Sequence, residues 1–510
     1  MARVIQRFTA LGLTIALSIV LVSCGGGGGG SSNSSNEAVG SGTVGILLTD
    51  KPADPDMFDS INAFIEKVEL LGSEDNGRVV LYSGPVKEFD LLRLRNESIP
   101  LTFKDGVPAG VYCKIRLTLR DLELVLSDDT PDDSSDNETY HPKLPGNGKL
   151  DLLARGCFTV LADRVLTLQV DIDAGNSFHI VGNSNGFNFR PVVFVDVIDE
   201  EFDSKLVRLE GEITKIDSVK QTLLLCDAIP TENMKNLGCV TVHFGDESAY
   251  FNNQKVGGYG GMPRPIAELL APDKLGLRLT VVGWPRFDKS SHDHDESDYE
   301  HYPLMQLDAL VAELGEFLQV EGKVAVDGDQ DGFAMSVSAG GPVISGDNLA
   351  VMLQPGCMDS TCGEKFNGTR IVSKSGELLM PDDIDVPLPV QVDGTLQVIS
   401  GSDPILQAAL VIVDRAAANA EQVTGVIVAV GTDSLTVDPD AATVCGIATD
   451  SLLVDLTDGT EFLTVTITNS GSLIAPGGNP AIGQTVGMNG SCKPVGYTTD
   501  NVVIVDDQRI

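Results

Sequence analysis

The sequence predicts a mainly β protein whose second half repeats one small closed sheet, and three observations carry that expectation. Apolar and polar residues alternate in "RVVLYS", "CKIRLTL", "RVLTLQVDID", "RPVVFVDVI" and "LGLRLTVVG", the period-2 signature of half-buried strands. No stretch beyond residue 43 keeps a long 3.6-residue period, so only short helices are expected, for instance near Ile266 to Leu270. Glycines also fall in register between three copies of one pattern.

The copies are read as follows. "RLEGEI", "QVEGKV" and "QVTGVI" align Gly211, Gly322 and Gly425, while "LTVVG", "VQVDG" and "VGMNG" align Gly283, Gly394 and Gly490. Before the second landmark stand "AELLAPDKLG", "GELLMPDDID" and "GSLIAPGGNP"; each copy closes on "LDALVAEL", "LQAALVIVD" or "NVVIVDD". A glycine inside a strand marks a bulge or a tight bend. A closed sheet of five or six strands needs such bends and leaves no open edges. The copies occupy residues 205–315, 316–415 and 420–510. In pattern they resemble an uncharacterised bacterial family of small OB-like barrels, domain of unknown function 5666.

Residues 43–202 follow a different pattern. Leu48-Thr49-Asp50, Pro52-Ala53-Asp54, Phe58-Asp59, Val68-Glu69, the strand from Gly110 to Arg116 and Arg190-Pro191-Val192 resemble the family called domain of unknown function 4382. That resemblance implies a β-sandwich-like domain and carries no known activity. The expected architecture is therefore a sandwich-like domain followed by three small barrel repeats.

The first residues suggest where the protein resides. Arg3 and Arg7 precede an apolar stretch from Leu11 to Val22, too short for a usual membrane span. It ends in Leu21-Val22-Ser23-Cys24, which resembles the lipobox of bacterial lipoproteins. The resemblance implies a signal peptide over 1–23, lipidation of Cys24 and, with Gly25 following, sorting to the outer membrane of a Gram-negative cell. Several acyl chains anchor stably where one would not. Residues 24–42, rich in Gly and Ser, read as a flexible tether.

Composition narrows the partners. The net charge of −38 repels nucleic acid and attracts cations. Hydrophobic residues at 42% suffice for a real core. Beyond Cys24 eight cysteines remain, and an even number in an exported chain suggests disulfides. Two fall in each module, so the expected pairs are Cys113–Cys157, Cys226–Cys239, Cys357–Cys362 and Cys445–Cys492.

Two acidic runs are candidate metal sites. "SHDHDESDYEH" is an insertion in the first barrel, and His292, His294, Asp298 and His301 combine imidazole with carboxylate as zinc, nickel or copper prefers. A solvated hairpin tip explains the same run. "DGDQDGF" sets Asp327, Asp329 and Asp331 before Gly332 like the start of a calcium loop, but its twelfth position is Ser338 and not Glu. An Asp-Gly turn is the simpler account. "GNSNG", residues 182–186, matches a nucleophile elbow yet precedes a strand where the chemistry needs a helix. No P-loop, HExxH or dinucleotide fingerprint occurs. The expectation is a non-catalytic lipoprotein with a binding, adhesion or envelope-scaffolding role toward an envelope protein or glycan, requiring no cofactor. A metal-handling protein taking calcium or zinc, and a hydrolase with an unlinked site, are the alternatives.

Overall fold

The computed structural model describes residues 40–508 except 52–57, 73–76, 127–137, 155–156, 163, 181–186, 190, 199–205, 229–237, 255–259, 287–304, 341–347, 359–362, 375, 398–402, 416–419, 441–442, 446, 469–470 and 494–495. These residues are nearly all β. The N-terminal third is a sandwich. One layer runs in the order Val193–Ile198, Val165–Asp173, Ser41–Lys51, Glu97–Pro108; the other runs Lys149–Leu152, Gly110–Leu126, Phe58–Gly72, Arg78–Asp90. Alternate residues turn inward, and Ile46, Leu48, Ile61, Ile65, Leu117, Leu124, Leu168 and Val170 meet as one buried core. Ser41–Lys51 and Val165–Asp173 are parallel and continuously paired. Phe178–Ile180 and Phe187–Phe189 pair antiparallel, so a strand and not a helix follows the "GNSNG" stretch.

Each later copy closes into a five-strand ring. In the first, Leu206–Asp217 pairs with both Thr222–Cys226 and Arg278–Arg286. Val240–Asn252 and Met305–Leu314 complete the circle, parallel to each other. The second copy uses Leu318–Val326, Gly332–Ala339, Leu349–Leu353 with Arg370–Ser373, Pro389–Gln397 and Ile405–Val413. The third uses Ala420–Val430, Ser434–Pro439, Leu452–Thr468, Thr485–Cys492 and Tyr497–Asp507. All three therefore share the strand order 1-2-3-5-4-1, a small Greek-key barrel of OB type.

The registered glycines have a physical cause. Gly283, Gly394 and Gly490 each sit at a slip in register between fourth and fifth strands. A Cβ on them would lie 2.1, 2.4 and 2.0 Å from the carbonyl oxygens of Asp308, Gln407 and Thr498. Any side chain there would force the barrel open. Each third strand is also interrupted at the same place: by 245–248 and 457–460 in the outer copies, and by the longer 354–369 in the middle one.

Strand ladders continue past the module limits. Leu206 and Val207 of the first barrel pair in parallel with Glu97 and Ser98 of the sandwich. Ser472, Leu473 and Ile474 of the third barrel pair in parallel with Leu150, Asp151 and Leu152. Leu463, Val465, Ile467, Ile474 and Val503 of that barrel join the sandwich core. Between the first and second barrels Phe251, Val282, Leu310, Leu410 and Ile412 form a separate buried seam. Residues 38–510 thus pack as one unit.

Disulfides join Cys113 to Cys157, Cys226 to Cys239 and Cys445 to Cys492. Cys357 is disulfide-bonded as well, while Cys362 lies outside the described residues.

Candidate functional site

Two places in the fold concentrate chemistry. The first is a buried charge cluster where the sandwich meets the first two barrels. Arg208 leaves the first strand of barrel one on its outer face, three residues before Gly211. Its Nε and Nη2 donate to Glu97 of the sandwich at 2.8 and 3.0 Å, and Nη2 also donates to Asp393 of barrel two. Glu313 stands 3.6 Å from Nη1. Gln319 and Gln391 donate to the same Glu97 oxygen at 3.3 and 3.2 Å, and Asn96 donates to Gln391 at 3.1 Å. Beside them Arg95 meets Glu321 at 3.4 Å.

Four buried carboxyls therefore face two guanidiniums. Glu97, Glu313 and Asp393 are at most 2% exposed, and burying a carboxylate is costly unless it is paired or protonated. Burial, reinforced by the neighbouring Asp393, pushes the Glu313 carboxyl well above its ordinary range. Burial raises Asp393 to about 6 despite the attraction of Arg208. Burial raises Glu321 to about 7, with Arg95 and Arg93 opposing and Asp90 and Glu97 adding to the rise. Burial works against the Arg208 charge too, but Asp393, Glu97 and Glu313 outweigh it and hold that guanidinium well above its usual value. Glu313, Asp393 and Glu321 therefore keep their protons to higher pH than free carboxyls do.

The second place is an open cleft of about 280 Å³ between sandwich and third barrel. Phe194, Val195 and Asp196 form one wall; Glu461, Phe462 and Leu463 with Pro476, Gly477 and Gly478 form the other, and Leu153 closes the end. Successive strand residues point to opposite faces. A cleft touching three in a row on Val193–Ile198 therefore runs along the strand's edge, not over one face. The opposite wall is where the 471–478 segment peels away from Leu452–Thr468, its last ladder contact being Gly477 N–H to the Phe462 carbonyl at 2.7 Å. No basic side chain lines it among the described residues.

The candidates read from sequence are placed differently. Asp327, Asp329 and Asp331 are exposed at the first hairpin of barrel two. Asp329 Oδ1 accepts from the N–H groups of Asp331 and Gly332 at 2.9 and 3.1 Å, and Asp327 Oδ1 accepts from Val386 N–H at 2.8 Å. These carboxylates build the turn. No group of three His, Cys, Asp or Glu among the described residues is arranged to hold a metal. His292, His294, Asp298, His301 and Cys24 lie outside the described residues. Of the sandwich signature, Asp50 is fully buried and accepts from Ala174 N–H at 2.9 Å. Burial, with Asp171 and Asp173 nearby, holds its carboxyl well above the usual range. Thr49 Oγ1 lies 3.0 Å from the carbonyl oxygens of both Leu94 and Glu97. This signature ties strands together.

Residues 41–191 match the family model described as Domain of unknown function (DUF4382). The match covers the sandwich up to the residue pair that leads into Val193–Ile198, so the N-terminal domain is of that kind. No curated protein and no solved structure matches the chain.

Neither the charge joint nor the cleft is marked by a motif. Glu321 and Asp393 directly precede the registered glycines Gly322 and Gly394, and Arg208 lies three residues before Gly211, all at positions that a strand pattern assigns to the outer face. Their signal is only that a barrel's outward positions are charged where the third copy has Thr424 and Asn489 beside its glycines.

Proposed function

We propose that the protein is an outer-membrane-anchored lipoprotein, tethered through Cys24 and residues 24–42, with a non-catalytic binding or envelope-scaffolding role. The observation that carries this reading is the continuity of the body. Sheets cross from sandwich to barrels, and a buried charge cluster locks the remaining joint. A body with continuous sheets, carried on a Gly- and Ser-rich segment, suits presentation of a surface to a partner. The open cleft between sandwich and third barrel supplies such a surface. The three barrels are read as relatives of the 5666 repeat family, which their shared glycine bulges support.

Fractionation of cells carrying Cys24→Ser tests the anchor. The variant is expected in soluble fractions, with the wild type in the outer membrane. Retention of the variant in membranes would refute the anchor. Cross-linking on intact cells tests the binding role, which predicts a discrete adduct with an envelope component.

A further inference from the structure

We infer that the outer face of the third barrel, around Val426, Val428 and Leu453, is a docking site for an amphipathic helix of a partner protein, apolar along one side and basic along its margins. The inference specifies a surface for the binding role proposed above, apart from the cleft, and is independent of the anchor.

The three barrels provide their own comparison. One and three residues past the first registered glycine stand Glu212 and Thr214 in barrel one, Lys323 and Ala325 in barrel two, and Val426 and Val428 in barrel three. The residue between them, Ile213, Val324 or Ile427, belongs to the barrel core. On the third strand Thr241, Ala350 and Leu453 are equivalent, each paired with an outward residue of the second strand: Leu224, Ala334 or Thr436. At these three outward positions barrels one and two carry no large apolar residue. Barrel three carries one at each.

The apolar positions adjoin one another. Thr436 pairs with Ala429 on one side and with Leu453 on the other. Gly483 N–H donates to the Ile427 carbonyl at 2.8 Å, which brings Ile482 alongside the same strand. Val426, Val428, Val430, Leu453 and Ile482 are 36% to 70% exposed. Single exposed apolar side chains are ordinary, but a gathering of five on one sheet face marks an interaction site.

Size and charge set the partner's chemistry. Two strand spacings separate Val428 from Leu453, about 10 Å, and four residues carry Val426 to Val430, about 13 Å. Such a patch is one helix wide and about two to three turns long. It is far smaller than the roughly 800 Å² per partner that a stable globular interface buries. Carboxylates stand at both ends. Asp433 is exposed in the turn beyond Val430, while exposed Asp438 lies directly opposite Val426 and Asp440 N–H bonds the Thr424 carbonyl at 2.9 Å. These margins attract a helix edged with lysine or arginine, and they oppose both a second copy of this acidic chain and an anionic membrane.

The probe is a fluorescent helical peptide with leucines along one side and lysines along its margins, titrated into the full-length wild-type chain. Saturable binding is expected, and a scrambled peptide of the same composition should not bind. Val426→Glu/Val428→Thr/Leu453→Thr gives barrel three the residues that barrel one carries on the same fold. It should weaken binding by about tenfold or more although it adds negative charge, with the melting temperature close to that of the wild type. Val428→Thr alone, nearly isosteric, should give a smaller loss in the same direction. Asp438→Asn/Asp440→Asn should weaken binding by about two- to threefold and reduce its salt dependence. Absence of saturable binding to the wild type, equal binding of the scrambled peptide, or equal binding by the triple variant would overturn the proposal. So would a dimer of the chain, or capture on phosphatidylglycerol vesicles, that the triple variant abolishes. Failure here leaves the envelope adduct and the Cys24→Ser result standing on their own.

Discussion

The sandwich is joined to its barrels in two unlike ways. Toward barrels one and two an ionic cluster, Glu97 and Arg95 with Arg208, Asp393, Glu313 and Glu321, is added to a two-residue parallel ladder and to the packing of Leu47, Phe103 and Ile198 against barrel one. Toward barrel three the contact is apolar and backbone-borne. Leu150 and Leu152 pair with Ser472 and Ile474, and Val465, Ile467 and Val503 enter the sandwich core. Hydrocarbon packing needs no matching partner, so the second joint is strong and insensitive to pH. The first depends on geometry and on protons. The difference separates stability from specificity: a charge joint forms only in one arrangement, because any other leaves a buried charge unpaired.

Removing the central cation should break the first joint most severely. Arg208→Met leaves Glu97, Asp393 and Glu313 buried without their counter-charge, and is expected to cost about 3–5 kcal/mol near neutral pH. Chemical denaturation measures it. At the other joint, Ile474→Ala removes a fully buried side chain and is expected to cost about 2–4 kcal/mol. The comparison is sharpened by repeating both at two pH values. The Ile474→Ala deficit should not change, whereas the Arg208→Met deficit should grow as the carboxyls ionise. The smallest effect is expected from Glu321→Gln. Glu321 is raised to about 7, so the amide imitates the form already present below that value. Relative to the wild type, the melting temperature of the variant should rise as pH goes from about 4.5 to about 7 and level off above that.

Much of the fold was legible because backbone geometry writes itself into sequence. A strand position whose neighbouring carbonyl leaves no room for a Cβ requires glycine, so Gly211, Gly283 and their counterparts report the barrel directly. The joints were not legible. Alternation states that Arg208 and Glu321 face outward from their barrels, but it does not say whether water or another domain stands there. The same limit hides the edge of Val193–Ile198: "RPVVFVDVI" reads clearly as a strand, while whether a neighbour lies beyond it is a property of topology. The acidic run at Asp327 to Asp331 misled in the opposite direction, since carboxylates that bind a cation and carboxylates that bind their own backbone look alike in one dimension.

The central claim is that the ionic joint holds protons and the apolar joint does not. Glu313, Asp393 and Glu321 all have folded-state values raised above those of an unfolded chain. The folded form therefore binds more protons, and this contribution to stability is full at low pH and lost as pH rises through about 6 and about 7. The most direct measurement is the melting temperature of the wild type and of Glu313→Gln/Asp393→Asn between pH 5.5 and 8.5. The wild type should lose stability across that window more steeply than the double variant, which has no proton to give up at either position. Parallel curves, or a wild type that gains stability as pH rises relative to the variant, would contradict the account.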